Sequence, residues 1–527
     1  MATVRPSDYA LAAASGVLLA LSFPQFGHPA FGWIALTPLL VALSSAPGSR
    51  IPNSTSRSAL RAFTLGLTTG LIYFTGTLYW ITRVMKMYGD LPWWAAVLVN
   101  GALIAYLALF PAFFALVLRP IIRTYGSTAL LASPVVWVAS ELGRTYLLTG
   151  FPWVLLGYSQ VSLLPVAQIA SIVGVYGLSA LVASVSAAAA MFAAAGPAQA
   201  GPHRVPVAAW RAAGGVGAIL LAVAVWGSLR VSRSELTRMG DPVRVGLIQA
   251  NIDQPEKMQL AQAGAAFNDY LRMTRQAIGA GAELVVWPES STPFLFEDDR
   301  PSAERVRAIA REARVPILLG SDQVEWGPNR LPVRYYNSAF LVRADGTTAE
   351  TYRKMHLVPF GEYVPLERLL FFAAPLVEAI GPFSAGEHAT LLPVGRHRLS
   401  VAICYEVVYP DLVRQFVIAG SELLTTITND AWFGRTSAPY QHFAQASMRA
   451  IEEGRYLIRS ANTGISGIVD PYGRVLQRSD IYQQTIVVGE ARFLQESTFY
   501  ARHGDIFAYA STVLSLVLLA TLRRRVI

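Results

Sequence analysis

Seven apolar stretches follow one another in the first 230 residues, each long enough to cross a hydrocarbon layer. A bilayer core of about 30 Å is crossed by roughly 20 apolar residues wound as a helix, because no water is present there to satisfy open backbone groups. The stretches fall near 8–24, 29–46, 62–82, 92–118, 127–147, 163–195 and 211–229, and an eighth lies near 505–522. Between the last two, from about 243 to 496, the texture is globular. Over 527 residues the apolar fraction is 53% and the charged fraction 15%, too greasy for a soluble enzyme. The chain is expected to be a polytopic α-helical membrane protein of eight spans carrying an inserted α/β domain. It divides into 1–230, 243–496 and 505–522.

The net charge of +9 does not demand nucleic acid as a partner. Much of it sits in short loops beside the apolar stretches. With the N-terminus inside, the cytoplasmic side holds Arg5, Arg50, Arg57, Arg61, Arg119, Arg123, Arg204, Arg211, Arg523, Arg524 and Arg525. The outer loops hold Arg83, Lys86 and Arg144, a clear positive-inside bias. Seven spans then deliver the globular segment to the outer face, and the eighth returns the basic tail, leaving both termini cytoplasmic. The first stretch has one arginine before it and is expected to be retained as a helix rather than cleaved.

The globular segment alternates strand-like and helix-like stretches. VRVGLIQANI (243–252), ELVVW (283–287), PILLG (316–320), LSVAIC (399–404) and ELLTTIT (422–428) read as buried strands. Residues 260–279, 303–313 and 438–453 read as helices, and Asp345-Gly346 marks a hairpin turn. That alternation predicts an α/β layered domain.

Cys404 is the one cysteine, which excludes an internal disulfide and a multi-cysteine zinc site. Forty arginines stand against three lysines, so a surviving lysine such as Lys354 suggests a need for a compact amine. Cys404 ends an apolar strand and precedes Tyr405 and Glu406. A strand-to-helix turn there exposes the thiol and aims the next backbone N–H into the same space. Glu289 closes a second apolar run behind Trp287 and Pro288. As a general base it would take the thiol proton, with Trp287 raising its proton affinity. Lys354 would stabilise an oxyanion and favour the thiolate. Glu362 and Glu406 would hold that lysine or act as a second base, and Glu406 is equally read as a structural partner for a backbone amide. The bland alternatives are a buried inert cysteine, a solvated strand-end carboxylate and a surface amine.

These pieces resemble the nitrilase (carbon–nitrogen hydrolase) superfamily, whose Glu–Lys–Cys triad matches Glu289 in WPES, Lys354 in YRKMHLVPFGEYVP and Cys404 in ICYE. With TNDAWFG (428–434), RAIEEGRYLIRSANTGIS (449–466), GFPW (150–153) and the spans, the whole chain is similar to the apolipoprotein N-acyltransferase family. The match is specific in 243–496 and looser in the spans. The resemblance implies an α-β-β-α sandwich on the periplasmic face of a bacterial inner membrane, and a ping-pong reaction without cofactor or metal. Cys404 would attack the sn-1 ester of a phospholipid, typically phosphatidylethanolamine, and release a lysophospholipid. The thioester would then acylate the α-amine of the S-diacylglyceryl cysteine of an apolipoprotein. Glu289 is implied as base, Lys354 as oxyanion support and the Tyr405 N–H as a second donor. Glu362 and Glu406 are implied to support the site, and Trp153, Trp287 and Pro365 to place substrate or loops.

LERLLFFAAPLVEAIGPF (366–383) either dips into the bilayer to admit acyl chains or forms a core helix. Trp432 and Phe433 either sit at the lipid interface or pack beneath the site. Two rival readings stay open: a membrane-tethered amidase with the same triad, and a transporter or lipid-binding protein. Intramembrane charge would favour the transporter, and the spans offer little beyond Glu141 and Arg144.

Overall fold

The computed structural model describes residues 6–45, 55–89, 91–194, 206–252, 260–364 and 383–524. They form two compact units. One takes 1–83, 92–233 and 503–527, and the other takes 84–91 and 234–502.

The first unit is helical. Helices or helical turns stand at all eight apolar stretches, among them Pro6–Ala20, Thr55–Leu78, Trp93–Tyr125, Ala170–Ala194, Val207–Arg233 and Ile506–Arg524. Among the described residues, three helical runs, opening at Trp93, Ala170 and Val207, are both long and apolar enough to cross a membrane, and Pro29–Ser44 and Ile506–Leu522 are shorter apolar helices. The second expected stretch is built from a 3-10 turn, Pro29–Ile34, and the short helix Thr37–Ser44. Each begins next to a proline, which starts a helix well but cannot continue one. Arg61 and Arg119, assigned to the inner side by charge, have local work as well. Arg61 pairs with Asp8 at 2.8 Å and donates to the Ala42 carbonyl. Arg119 donates to the Leu43 carbonyl at 2.6 Å, so two cations satisfy the open carbonyls ending Thr37–Ser44.

Helix Thr55–Leu78 lies directly on helix Trp93–Tyr125 through Gly66 and Gly70. A Cβ at Gly66 would stand 2.3 Å from the Pro111 carbonyl oxygen, and one at Gly70 would stand 2.7 Å from the Ala108 Cα. Small residues four apart allow backbones to approach where lipid offers no hydrophobic drive. GFPW folds inside this unit. Arg144 donates to the Trp153 carbonyl at 2.8 Å, while Glu141 accepts from the Trp137 indole and the Leu156 amide. Trp153 is buried against Trp80.

The second unit is a two-sheet sandwich. Its strands are β1 (Asp241–Gln249), β2 (Leu284–Val286), β3 (Ile317–Trp326), β4 (Pro332–Val342), β5 (Thr348–Arg353), β6 (Leu392–Val394), β7 (His397–Ile403), β8 (Leu423–Thr428), β9 (Leu457–Ala461), β10 (Gly467–Val469), β11 (Val475–Arg478) and β12 (Thr485–Phe493). One sheet runs β12-β1-β2-β3-β4-β5, the other β11-β10-β9-β8-β7-β6. The centre of each is parallel, β1-β2-β3 and β7-β8-β9. Parallel strands are covered on both faces, which explains their nearly unbroken apolar sequences. Helices Leu260–Gly279 and Arg300–Ala313 cover the first sheet, packing Phe267, Tyr270, Val306 and Ile309 around Val285 and Leu319. Helices Pro410–Ile418 and Ala438–Glu453 pack on β7 and β9. Between the sheets, Ser460 Oγ donates to the Ile248 carbonyl at 2.9 Å. Asp345-Gly346 turns β4 into β5, as the dipeptide predicts.

Gly70→Val should lower the thermal midpoint of the detergent-solubilised protein, because overpacking a close contact costs about 1–3 kcal/mol. Gly101→Val on the facing helix, with nothing within 4 Å of its Cβ position, should leave the midpoint in place. Equal midpoints for the two variants would remove the glycine contact as a determinant of this unit.

Candidate active site

Three loops leaving neighbouring strand ends converge. Glu289 follows β2, Lys354 follows β5 and Cys404 follows β7. The Glu289 loop lies on β3 so closely that a Cβ at Gly320 would stand 2.7 Å from the Glu289 Cα. Only glycine permits that approach.

Lys354 is 1% exposed. Its Nζ donates to Glu362 Oε1 at 2.8 Å and lies 3.7 Å from Glu289 Oε1. Burial alone would strip its proton, but Glu362, Glu289 and Cys404 outweigh it and hold the amine above the usual lysine range. Glu289 is buried as well. Its Oε1 accepts from Asn337 Nδ2 at 2.7 Å and its Oε2 from the Asn429 amide at 2.8 Å. Glu362 accepts from Lys354, from Asn337 Nδ2 at 3.2 Å and from the Val358 amide at 2.7 Å.

Cys404 occupies the left-handed backbone region, φ +53, and opens a 3-10 turn through Val408. L-residues rarely adopt that conformation, and it turns the side chain out of the strand at a sharp elbow. The thiol's proton affinity is raised well above the ordinary range. Burial comes first, then the Glu289 charge, with Lys354 and the Thr428 hydroxyl pulling the other way. That direction fits the sequence expectation that a general base has to take the thiol proton.

Of the two places read for Glu406 in the sequence, the structure gives the second, a partner of backbone amides. Its Oε2 accepts from the Ile403 amide at 2.7 Å. Its Oε1 accepts from the Tyr352 hydroxyl and from the Met355 and His356 amides at 2.7, 2.7 and 3.0 Å. It thus ties the cysteine elbow to the lysine loop, and it makes no hydrogen bond to the Lys354 amine. Burial pushes its carboxyl up to about 7, against those hydrogen bonds. Tyr405 turns its ring toward Tyr409 and His356, leaving its backbone as the part at the elbow.

The expected aromatic positions separate. Trp287 stacks on Tyr270 at 4.9 Å and donates to Thr274 Oγ1 at 2.8 Å, inside the core beneath the first sheet. Trp153 is held in the helical unit. Trp432 is half-buried with its ring 4.6 Å from that of Tyr88, whose hydroxyl donates to the Ala431 carbonyl. Phe433 sets its edge against His442 at 6.0 Å. Pro365 and residues 366–382 of the apolar run lie outside the described residues. Where the chain resumes, the Phe383 amide donates to the Glu362 carbonyl at 3.0 Å.

Two supports escaped sequence reasoning. Asn337 sits mid-strand in RYYNSAF, where nothing distinguishes it from any polar residue of a strand. Its amide bridges both carboxylates, so its nitrogen rather than its oxygen faces them. Asn462 donates to Asn429 Oδ1 at 3.0 Å and clasps the Ile252 backbone from both sides. The repeated asparagines of TNDAWFG and SANTG were its available signal.

A family profile described as the apolipoprotein N-acyltransferase N-terminal domain matches residues 15–188, and one described as carbon-nitrogen hydrolase matches residues 244–493. An apolipoprotein N-acyltransferase of Geobacter metallireducens is 42% identical over 98% of this chain and 96% of its own. One from Brucella melitensis is 35% identical over 88% and 85%. Among solved structures, an amidase from Nesterenkonia sp. is 20% identical, covering 52% of this chain and 97% of its own with a TM-score of 0.39.

Asn337→Asp keeps shape and replaces the bridging donor with a third carboxyl group. Losing a hydrogen bond to a buried charge costs about 1.5–3 kcal/mol, so turnover should fall at least roughly tenfold. Activity should partly return as pH falls, because a proton shared among the three carboxyls restores a donor. A pH–rate profile that tracks wild type would show that the bridge carries no weight in the reaction.

Proposed function

We propose a reaction course from the premise that this chain belongs to the apolipoprotein N-acyltransferase family. It is an acyltransferase of lipoprotein maturation, with a lipid as donor and a lipoprotein as acceptor. In the first half-reaction, Cys404 Sγ attacks the sn-1 ester carbonyl of a phospholipid, phosphatidylethanolamine being the donor we assign. Glu289 takes the thiol proton and passes it to the departing lysophospholipid oxygen. Lys354 Nζ and the Tyr405 N–H receive the oxyanion. In the second half, the α-amine of an S-diacylglyceryl cysteine attacks the thioester as the neutral base. Glu289 removes its proton, and the Cys404 sulfur leaves and is reprotonated.

The observation that carries this reading is the unequal sharing of one buried ammonium. Glu362 accepts a hydrogen bond from the Lys354 amine at 2.8 Å. Glu289 has the same ammonium only at 3.7 Å, beyond hydrogen-bond distance. Each carboxylate also accepts one backbone N–H, so the contact with the ammonium is what separates them, and it supports Glu362 as the holder of Lys354 and Glu289 as the base. Proton transfer from sulfur to Glu289 also leaves the summed charge of the four groups unchanged. The new thiolate appears beside Lys354 as the carboxylate beside it is neutralised.

Both substrates are lipids of the outer leaflet. We therefore place the sandwich on the periplasmic face of a multi-pass inner-membrane protein, with eight spans and cytoplasmic termini. Positive-inside charge and helices at all eight apolar stretches support that placement. The amidase reading is not favoured, since the relatives matched along nearly the whole chain are named acyltransferases.

Intact mass after incubation with phosphatidylethanolamine and no acceptor should rise by one fatty acyl group. Hydroxylamine should remove it, and a diacylglyceryl-cysteine peptide should discharge it with acylation of the peptide amine. Cys404→Ala should give no adduct. Turnover of a small amide without any adduct from phospholipid would overturn the assignment. Lys354→Arg should lose roughly 10²–10³ in turnover despite its charge, because a planar fork does not fit a compact oxyanion site. Normal turnover in that variant would reduce the role of Lys354 to a general field.

A further inference from the structure

One buried cluster has no part in the reaction course above. Asp430, His442 and Arg459 are each fully buried. Arg459 Nη2 donates to Asp430 Oδ2 at 2.7 Å and lies 3.1 Å from His442 Nδ1. Thr428 Oγ1 donates to Asp430 Oδ1 at 2.8 Å, and His442 Nδ1 is 3.1 Å from the same oxygen. Arg459 Nε is anchored on the Ile465 carbonyl. Three ionisable side chains taken wholly out of water are costly unless they satisfy one another. Here their combined product is a single directed hydrogen bond. His442 Nε2 stands 3.1 Å from the carbonyl oxygen of Cys404. A carbonyl oxygen only accepts, so Nε2 carries a proton and donates it.

That carbonyl belongs to the same peptide unit as the Tyr405 N–H. The two groups of one trans amide point in opposite directions. A donor fixed on the oxygen therefore fixes the N–H on the far side, away from His442. The same hydrogen bond polarises the amide and strengthens its N–H as a donor. The elbow needs such a hold. Cys404 sits at φ +53, where an L-residue has little intrinsic preference to stay. A reversal of the following peptide plane would turn the N–H out of the site and bring the carbonyl oxygen in.

We propose that His442, braced by Asp430 and Arg459, is a positioning residue that locks the Cys404–Tyr405 peptide with its N–H toward the oxyanion of the tetrahedral intermediates. This rests on the thioester reading of Cys404. His442 acts through the Cys404 carbonyl. Arg459 Nη2 donates to Nδ1 and so sets the Nε2–H tautomer, Asp430 holds Arg459, and Phe433 closes the ring edge. The TNDAWFG run thereby acts on the nucleophile through its backbone rather than on the substrate.

The test uses the full-length protein in detergent, acylated from phosphatidylethanolamine carrying ¹³C-labelled acyl carbonyls. The thioester carbonyl stretch of the acyl-enzyme reports the donors on that oxygen. His442→Gln places an N–H donor where Nε2 stands and should keep the wild-type stretch and most of the turnover. His442→Asn supplies a donor only on the Nδ1 side. Its thioester stretch should shift to higher wavenumber, and deacylation by a diacylglyceryl-cysteine peptide should slow by roughly 10²–10³ in kcat with little change in KM. Wild-type stretch and kcat in His442→Asn would overturn the proposal. So would a lowered thermal midpoint with an unmoved stretch, since that is the mark of a purely structural cluster. No adduct on the wild-type protein would overturn the thioester reading and the positioning role with it, whereas an adduct indifferent to His442 overturns the positioning role alone.

Discussion

One ammonium withdrawn from water organises the site. An amine as buried as that of Lys354 keeps its proton only if negative charge is brought to it, and a single carboxylate is fully used in doing so. The second carboxylate, Glu289, then has to be held apart from the first without losing contact with the same cation. Asn337 meets that need by placing one NH2 group between both acids, 2.7 Å from one and 3.2 Å from the other. The Asn429 amide secures the remaining Glu289 oxygen. Asn429 is itself tied through Asn462 to the Ile252 backbone. A single buried charge thus propagates into hydrogen bonds that span both sheets of the sandwich.

Backbone placement follows the same logic. The three reactive groups arrive on loops that leave strand ends, where side chains are free of the ladder but still aimed by it. Glu406 removes the remaining slack. Its four donors come from the end of β5, the lysine loop and the last residue of β7, so the backbones carrying Cys404 and Lys354 are tied by one carboxylate. Rigid support of this kind matters where an error of an ångström costs rate.

How much of this was legible in the chain depends on whether a residue's partners are near in sequence. The strand-end positions of Glu289 and Cys404 could be read directly, because apolar runs announce buried parallel strands and each residue closes such a run or lies just beyond one; Lys354 instead follows the antiparallel β5, the second arm of a hairpin. The hairpin at Asp345-Gly346 was legible for the same local reason. For Glu406 the sequence offered a backbone-amide partner without saying which amides, since beyond Ile403 its partners lie some fifty residues away. Trp287 was misleading: beside Glu289 in sequence, it points into the opposite side of the sheet and serves the core. Apolar length located the helices of the first unit but not their internal build. The stretch that opens at Pro29 is a turn and then a short helix begun beside Pro38, which hydropathy reads as continuous. Gly66 and Gly70 form a small-residue pair visible in GLTTG, yet only the facing helix shows what they admit.

The raised proton affinity of Cys404 suits the reaction course proposed above. On that course the thiol faces an oxidising compartment, where the thiolate, not the thiol, is the species that oxidises. A preformed thiolate would attack readily and be lost readily. Burial and the neighbouring Glu289 charge favour the proton on sulfur, while Lys354 and the Thr428 hydroxyl limit how far that shift goes. On the same proposed course, a carbonyl oxygen beside Lys354 would give the developing negative charge a second place to reside, so Glu289 would deprotonate the sulfur only as the new bond forms. The nucleophile would then be generated on demand, and the barrier lowered by groups that are already in place rather than by a reactive anion waiting in the resting enzyme.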